Sequence, residues 1–324
     1  MKHLLNLLAA IALLIWGTHM VRTGVLRVFG ANLRNLLARS THNRFSAALS
    51  GLDVTALVQS STATSLMTSA FVGQGLVSLP AALSVMRGAD VGTALMAVLF
   101  SMDLSWLSPL CIFLGVVLFI TRQDSQAGRI GRVLIGLGLM LLALRLVVEA
   151  TEPLLQASAV RTMLASVSSD LGLELLFGAL LALMAYSSLA IVLLIAAMAQ
   201  SGAIPMDVAL GLALGANIGS GLVAVLTTAK SSVEVRQVTI GNLLFKIVGV
   251  AIVAPFLGLW VAYIQPYAEE PGRGVVLFHL AFNVFNSVCF IGFTDIVAAW
   301  MVRLLPKSQE SPASSFLRPH HLDP

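Results

Sequence analysis

Apolar segments recur along the whole chain and constrain its fold more than any other feature. A helix needs about 20 residues to cross roughly 30 Å of hydrocarbon, so several of them can span a membrane. Charged residues make up 10% of the chain, whereas a soluble domain carries about 25%. Strand-like alternation is absent. We predict an all-α, polytopic membrane protein rather than a large soluble enzyme. The apolar segments lie at 4–21, 62–77, 80–100, 105–121, 130–148, 173–200, 207–227, 238–263 and 274–302.

Basic residues predict how these helices are oriented. They concentrate in three places, after the first apolar segment, around 122–132 and after the last segment. By the positive-inside rule, all three places lie on the cytoplasmic side. No basic run is interleaved with aromatic residues, so we expect no nucleic-acid partner. The residues concerned are Arg22, Arg27, Arg34, Arg39, Arg44, Arg122, Arg129, Arg132, Arg303 and Lys307.

The chain contains an internal repeat with an offset of 127 positions. The offset aligns residues 59–99 with 186–226 without a gap, and more than a third of the 41 pairs are identical. The shared glycines are informative because glycine marks backbone geometry. Three apolar segments lie between the units, and an odd number of crossings would invert the second unit. We predict two inverted repeats, at about 45–122 and 172–250, within one membrane domain at 1–305 and before a disordered cytoplasmic tail at 306–324.

Each repeat contains a Ser-Ser pair at an interruption of apolar sequence. In the first, about 14 apolar residues precede Gln59, a length of about 21 Å that is too short to span. Hydroxyl side chains follow at Ser60, Ser61, Thr62 and Thr64. This pattern predicts a broken, re-entrant helical hairpin. A break frees carbonyls that suit a hard cation and helix-start amides that suit an anion. The alternative is that the hydroxyls bond to carbonyls of their own helix and allow close packing.

A second block is shared by the repeats, with Gly88-Ala-Asp90-Val-Gly92-Thr93 aligned to Gly215-Ala-Asn217-Ile-Gly219-Ser220. A carboxylate in an apolar segment is costly unless it is paired or binds a ligand. Arg87, three residues before Asp90, is a candidate partner. Either Asp90 forms a structural ion pair, or Asp90, Asn217, Thr93 and Ser220 line the path of a substrate or ion.

These motifs resemble the sodium/phosphate cotransporter family. Gln59-Ser60-Ser61-Thr62 is similar to the family's QSSS-type signature, and the two glycine blocks are similar to its GANIGT element. His279-Leu-Ala-Phe282-Asn283 is similar to its HxxFN element. The resemblance covers roughly 4–305 and is greatest to a short bacterial branch, one member of which is thought to export phosphate. Many bacterial relatives carry a C-terminal PhoU-like domain, which we expect this chain to lack.

The resemblance implies a sodium-coupled phosphate transporter of the bacterial inner membrane that works by alternating access. Its partners would be phosphate, sodium and the bilayer, with no other cofactor, and a homodimer stays open. The substrate and ion site would comprise Gln59, Ser60, Ser61, Thr62, Thr64, Asp90, Thr93, Tyr186, Ser187, Ser188, Asn217 and Ser220. Sodium would be held at Gln59, Ser60, Ser187 and Ser188.

One departure from the family pattern qualifies this reading. The second signature reads Tyr186-Ser187-Ser188-Leu189, without the expected Gln and third Ser, which puts strict sodium coupling in doubt. An uncoupled anion channel or exporter is therefore one alternative. A membrane enzyme acting on phosphorylated lipid is another, but no paired acid and base or other enzyme motif supports it.

Overall fold

The computed structural model describes residues 2–39, 42–102, 104, 106–123, 125–155, 170–264 and 270–306. Regular structure in these residues is entirely helical, which confirms the all-α prediction. The predicted tail lies outside the described residues apart from Pro306. The helices are α1 (Lys2–Arg39), α2 (Arg44–Val58), α3 (Ser61–Gly73), α4 (Leu79–Ser101), α5 (Leu107–Thr121), α6 (Gln126–Leu155), α7 (Leu171–Ala185), α8 (Ser188–Gln200), α9 (Met206–Thr227), α10 (Val233–Val253), α11 (Pro271–Phe290) and α12 (Thr294–Leu304).

Six helical stretches in the described part are long and apolar enough to cross a membrane. The pairs α2–α3 and α7–α8 are each made of two shorter helices joined at a break. Their lengths of 13 to 15 residues, or about 20 Å, fall short of the hydrocarbon thickness. The six stretches are Lys2–Arg39, Leu79–Ser101, Gln126–Ala150, Met206–Thr227, Val233–Tyr263 and Pro271–Leu304.

The repeat seen in the sequence is present in the backbone. With the same offset of 127 residues, the bounds of α2 and α3 coincide with those of α7 and α8. Gln59 and Tyr186 occupy equivalent positions and are the two described non-glycine residues with a positive φ, at 59° and 52°. Gly75 and Gly202, also equivalent, have φ values of 73° and 72°. The repeat is therefore a structural unit, not a coincidence of apolar composition.

The shared glycines allow two helices of each repeat to touch. A Cβ on Gly88 of α4 would lie 1.6 Å from the carbonyl oxygen of Ala48 in α2. A Cβ on Gly215 of α9 would lie 2.3 Å from the carbonyl oxygen of Leu175 in α7. Only glycine permits backbones to approach this closely, as in other packed membrane helices. The glycine blocks thus fix each hairpin against the long helix that follows it.

The two repeats run in opposite directions. Helix α3 ends at Gly73, close in sequence to the start of α4 at Leu79. Its equivalent, α8, ends at Gln200, which lines a common cavity with Phe100 and Ser101 at the other end of α4. The equivalent helices therefore finish at opposite ends of one long helix. This arrangement fits the inverted repeat that the sequence predicted.

Candidate functional site

The first break lies between α2 and α3. Gln59 ends α2 in the left-handed conformation, with its N–H donating to the carbonyl of Thr55 at 2.7 Å. Ser60 is extended and caps α3, its Oγ accepting from the N–H of Ala63 at 3.2 Å. Thr55 Oγ1 donates to Thr64 Oγ1 at 2.7 Å and joins the two half-helices. A left-handed Gln costs about 1 kcal/mol or more, and such strain is concentrated at functional sites.

The second break repeats this geometry with different side chains. Tyr186 ends α7 in the left-handed conformation, and Ser187 caps α8 by accepting from the N–H of Ala190 at 3.2 Å. The Tyr186 side chain is 51% exposed, whereas Gln59 is 6% exposed. The backbone of the second break is therefore preserved, but the amide side chain that the first break buries has no counterpart there.

Arg22 of α1 connects the two breaks. Its Nη1 donates to Tyr186 O at 3.0 Å and lies 3.4 Å from Ser60 Oγ. Its Nη2 lies 3.1 Å from Nδ1 of His19, one turn earlier in α1. A single guanidinium therefore contacts both breaks, although Arg22 and Tyr186 are 164 positions apart in the sequence.

Three sources of positive charge converge on this point. The capping hydroxyls of Ser60 and Ser187 satisfy one amide each, at Ala63 and Ala190. The first amides of α3 and of α8 have no partner within their helices. Helix α3 starts beside Ser60 and helix α8 starts beside Tyr186, the two residues that Arg22 contacts. Each helix start carries the positive end of the helix dipole. Two helix starts and a guanidinium form an arrangement suited to a polyatomic anion.

The first hairpin also presents buried oxygens without a described protein partner. They are Gln59 Oε1, Ser65 Oγ and Thr68 Oγ1. Buried polar atoms are normally hydrogen-bonded, so unsatisfied ones are free to bind a ligand or water. Amide and hydroxyl oxygens are hard ligands that suit a hard cation. Ser65 and Thr68 extend the predicted hydroxyl cluster by one turn of α3.

The shared glycine block leads to a second polar cluster, the Asp90 network. Asp90 Oδ1 accepts from Lys246 Nζ at 2.6 Å, and Asp90 Oδ2 lies 3.2 Å from Arg87 Nη2. Arg87 also donates to Asn242 Oδ1 and stacks 4.8 Å from the ring centroid of Phe245. All three charged side chains are at most 4% exposed. The structural ion pair that the sequence left open is therefore present, with Lys246 as an additional member.

Asn217, the equivalent of Asp90, makes neutral contacts. Its Nδ2 donates to Ala213 O at 2.9 Å and lies 3.1 Å from His279 Nδ1, and Asn283 Nδ2 lies 3.3 Å from the same nitrogen. The neighbouring hydroxyls bond within their own helices. Thr93 Oγ1 donates to Ala89 O at 3.3 Å, and Ser220 Oγ donates to Asn217 O at 2.8 Å.

The predicted site residues thus fall into two groups. Gln59, Ser60, Tyr186 and Ser187 lie at the two breaks, while Ser61, Thr62, Thr64 and Ser188 lie in the first turn of α3 or α8. Asp90, Thr93, Asn217 and Ser220 lie on the long helices α4 and α9. Their assignment to substrate or ion remains a prediction.

Sequence reasoning missed Arg22 and Lys246. Arg22 was grouped with the basic residues after the first helix, but α1 continues to Arg39 and places Arg22 within the helix. The available signal was its position three residues after His19, on one helical face. Lys246 did give a signal, because a charged residue within the apolar segment 238–263 needs a partner. The partner itself, Asp90, was not predictable because it lies 156 positions away.

Long apolar helices, two inverted repeats and hairpins with polar breaks define a polytopic helical membrane protein with the architecture that is common among secondary transporters. The Na+/Pi-cotransporter family model matches the chain twice, over residues 13–149 and 150–286. The chain belongs to this family, as its sequence motifs indicated. The two matches begin and end at other positions than the predicted repeats at 45–122 and 172–250, whose bounds remain a prediction.

Curated relatives align over the whole chain. It is 48% identical over 323 residues to "Putative inorganic phosphate export protein YjbB" of Escherichia coli O157:H7, and 46% identical to the protein of the same name from Salmonella typhimurium strain LT2. Both alignments cover 100% of the chain and 59% of the relative, so the chain spans about three fifths of the length of these proteins. The uncharacterized protein YqeW of Bacillus subtilis strain 168 is 23% identical over 94% of the chain and 98% of its own length. No solved structure gives a significant match.

Proposed function

We propose that this protein transports inorganic phosphate across the bacterial inner membrane, with sodium as the coupling ion, by alternating access. The observation that carries the proposal is the contact of Arg22 with both breaks, at Ser60 Oγ and Tyr186 O. Phosphate needs several donors directed at its oxygens. The guanidinium and the unpaired amides at the starts of α3 and α8 supply them in one place.

Sodium would bind on the first hairpin. The oxygens of Gln59, Ser65 and Thr68 are buried and lack a described protein partner. A monovalent hard cation fits neutral oxygens of this kind. The predicted contributions of Ser60, Ser187 and Ser188 to sodium binding are retained as part of the proposal. The hydroxyls of Ser60 and Ser187 also cap the starts of α3 and α8, so their contribution to the cation would be secondary.

The inverted repeat supplies a route for alternating access. Transporters of this architecture hold their substrate near the midplane, where the broken helices of the two repeats meet. We propose that both hairpins are re-entrant, each entering and leaving by its own face of the membrane. Arg22, on the long helix α1, would then lie between the two hairpins and contact both. The relatives named as phosphate export proteins favour outward transport.

Two observations support a second candidate, uncoupled phosphate movement. The positions of α8 equivalent to the hydroxyls of α3 are apolar, with Leu189, Ile191, Val192 and Ile195 in place of hydroxyl residues. The buried carboxylate Asp90 is already balanced by an internal ammonium, Lys246. A chain with fewer oxygens for sodium and a compensated carboxylate could move phosphate down its own gradient.

Phosphate flux in proteoliposomes tests the proposal. We expect saturable uptake of labelled phosphate that increases with a sodium gradient, and a loss on the order of 10- to 100-fold in Arg22→Ala, because a hydrogen bond to a charged group is removed. Arg22→Lys should retain part of the flux because it keeps the charge. Arg34→Ala, which removes an exposed arginine elsewhere on α1, is the matched control and should behave as wild type.

Three outcomes separate the candidates. Flux that saturates but ignores sodium would favour the uncoupled candidate. Flux without saturation would indicate a channel. Absence of phosphate flux in either direction, with protein that elutes as a single folded species, would refute phosphate transport altogether.

A further inference from the structure

A cavity of about 380 Å³ lies among α1, the end of α5 and the start of α6, away from both breaks. Three arginines line it, Arg27, Arg129 and Arg132, together with the amide of Gln123 and the ring of Phe119. None of the described residues that line it is acidic, and none of the three arginines forms an ion pair with a described residue. We call it the arginine cavity. Within the described part of the chain, its three positive charges have no acidic counterpart, so the cavity is suited to an anion.

A second cavity of about 290 Å³ continues from the first and shares Arg27, Phe119 and Arg132 with it. Its remaining lining runs along α1 to Trp16 and comprises Trp16, His19, Met20 and Thr23 of α1 and Ile135 of α6, with mostly apolar surface. Trp16 is 57% exposed, on a helix that is long and apolar enough to span a membrane. From Arg27 to Trp16, this groove extends over about 16 Å of helix. We call it the apolar groove.

The packing of α1 on α6 fixes both cavities. A Cβ on Gly24 would lie 2.6 Å from Val133 Cγ2, and one on Gly17 would lie 2.8 Å from the backbone nitrogen of Met140. The helices are therefore antiparallel and in close contact. The start of α6 consequently lies beside the part of α1 that carries Arg27. The guanidinium of Arg132 lies 5.3 Å from the ring centroid of Phe119, a cation–π contact that holds it between the two cavities.

We propose that the arginine cavity and the apolar groove together bind one anionic phospholipid, with the phosphodiester among the three arginines and an acyl chain along α1 towards Trp16. A basic pocket between membrane helices at the predicted cytoplasmic end is where such headgroups bind. A free phosphate ion would satisfy the arginines alone. The apolar groove favours the lipid, because only an amphiphile fills both parts and excludes water from the groove.

Trp16 lines the groove and reports its occupant. The test uses the full chain with Trp106, Trp260 and Trp300 replaced by Phe, so that Trp16 is the only tryptophan. This variant is reconstituted in phosphatidylcholine vesicles that contain a minor fraction of phosphatidylglycerol. In one preparation the phosphatidylglycerol carries brominated acyl chains, and in the other an equal amount of the phosphatidylcholine carries them. We expect brominated phosphatidylglycerol to quench Trp16 well beyond its mole fraction, and brominated phosphatidylcholine only in proportion to it.

Substitutions of the arginines test whether the preference for phosphatidylglycerol depends on the arginine cavity. Arg129→Gln and Arg132→Gln should each reduce the preference for phosphatidylglycerol about fivefold, in line with one basic residue at a membrane surface. Arg34→Gln, an exposed arginine of α1 outside both cavities, is the matched control and should leave the preference unchanged. The unfolding temperature of each variant in detergent verifies folding.

Equal quenching by the two lipids would overturn the proposal, because Trp16 would then face only bulk lipid. Release of the quenching by millimolar inorganic phosphate would also overturn it, and would identify the arginine cavity as a binding place for free phosphate. The measurement involves no transport. Its failure is therefore distinct from failure of the proposed function.

Discussion

The two hairpins, α2–α3 and α7–α8, have the same backbone and different chemistry. Their helix bounds, left-handed residues and serine caps agree at an offset of 127 residues. In the first hairpin, α3 buries Ser65, Thr68 and Ser69, whereas α8 has Val192, Ile195 and Ala196 at the equivalent positions. Backbone geometry depends on a few glycines, caps and break residues, so it persists while the side chains diverge. Symmetry of fold therefore does not imply two equal binding sites.

The long helices α4 and α9 differ in the same way, with Asp90 in one and Asn217 in the other, and a substitution at Asp90 should have the largest effect on stability. Asp90→Asn makes the first repeat resemble the second, which has Asn217, but leaves Lys246 and Arg87 without their buried carboxylate. Loss of one partner of a buried ion pair costs about 3–5 kcal/mol, so we expect a marked decrease in unfolding temperature in detergent. The double variant Asp90→Asn/Lys246→Met should recover much of this loss. An unchanged unfolding temperature in the single variant would contradict the Asp90 network.

The glycine contacts test whether the two repeats pack alike. Gly88→Ala and Gly215→Ala both force a Cβ against a carbonyl oxygen, at 1.6 Å and 2.3 Å before relaxation. We expect each to destabilise the protein by about 3 kcal/mol, with Gly88→Ala the more severe. Unfolding temperature and yield measure the effect. Gly30→Ala, where a Cβ would meet nothing within 4 Å, is the control and should be neutral or slightly stabilising, because alanine favours the helix more than glycine does. A harmless Gly88→Ala would mean that the helices are further apart.

Removing the unsatisfied hydroxyls sharpens the comparison of the hairpins. Ser65→Ala/Thr68→Val gives α3 the apolar character that α8 has at these positions. We expect the sodium stimulation of phosphate flux to disappear, while stability is unchanged or increases by about 1 kcal/mol, because unsatisfied buried hydroxyls are removed. Ser69→Ala is the matched control, since Ser69 Oγ is already bonded to Leu66 O at 3.1 Å. Persistent sodium stimulation in the double variant would place the cation elsewhere.

Substitution of the capping serines should combine a small loss of stability with a partial loss of transport. Ser60→Ala and Ser187→Ala each remove one helix cap, with an expected cost of about 1 kcal/mol. Both should weaken phosphate transport at normal expression, and Ser60→Ala more strongly, because Ser60 Oγ also lies beside Arg22. Flux measured per folded transporter separates the two variants. If both transport as wild type does, the serines serve helix packing alone.

The sequence was sufficient for much of this fold. Apolar segment lengths predicted the helical membrane class, and the interruption after Val58 predicted the break at Gln59 and Ser60. The ion pair of Arg87 and Asp90 was predictable because residues three apart share a helix face. Each of these features is local or repeats at a fixed offset, so it is visible in a linear pattern.

The tertiary structure determined which residues from elsewhere in the chain contact the two repeats. Arg22 reaches both breaks only because α1 lies against both hairpins, and Lys246 reaches Asp90 only because α10 packs beside α4. The same packing determines which hydroxyls of α3 keep a partner and which do not. Helical periodicity predicts which face of a helix is apolar, but it does not specify which distant helix will meet that face. The repeat was therefore determined by the sequence alone, and the contact of Arg22 with both of its halves by the tertiary structure.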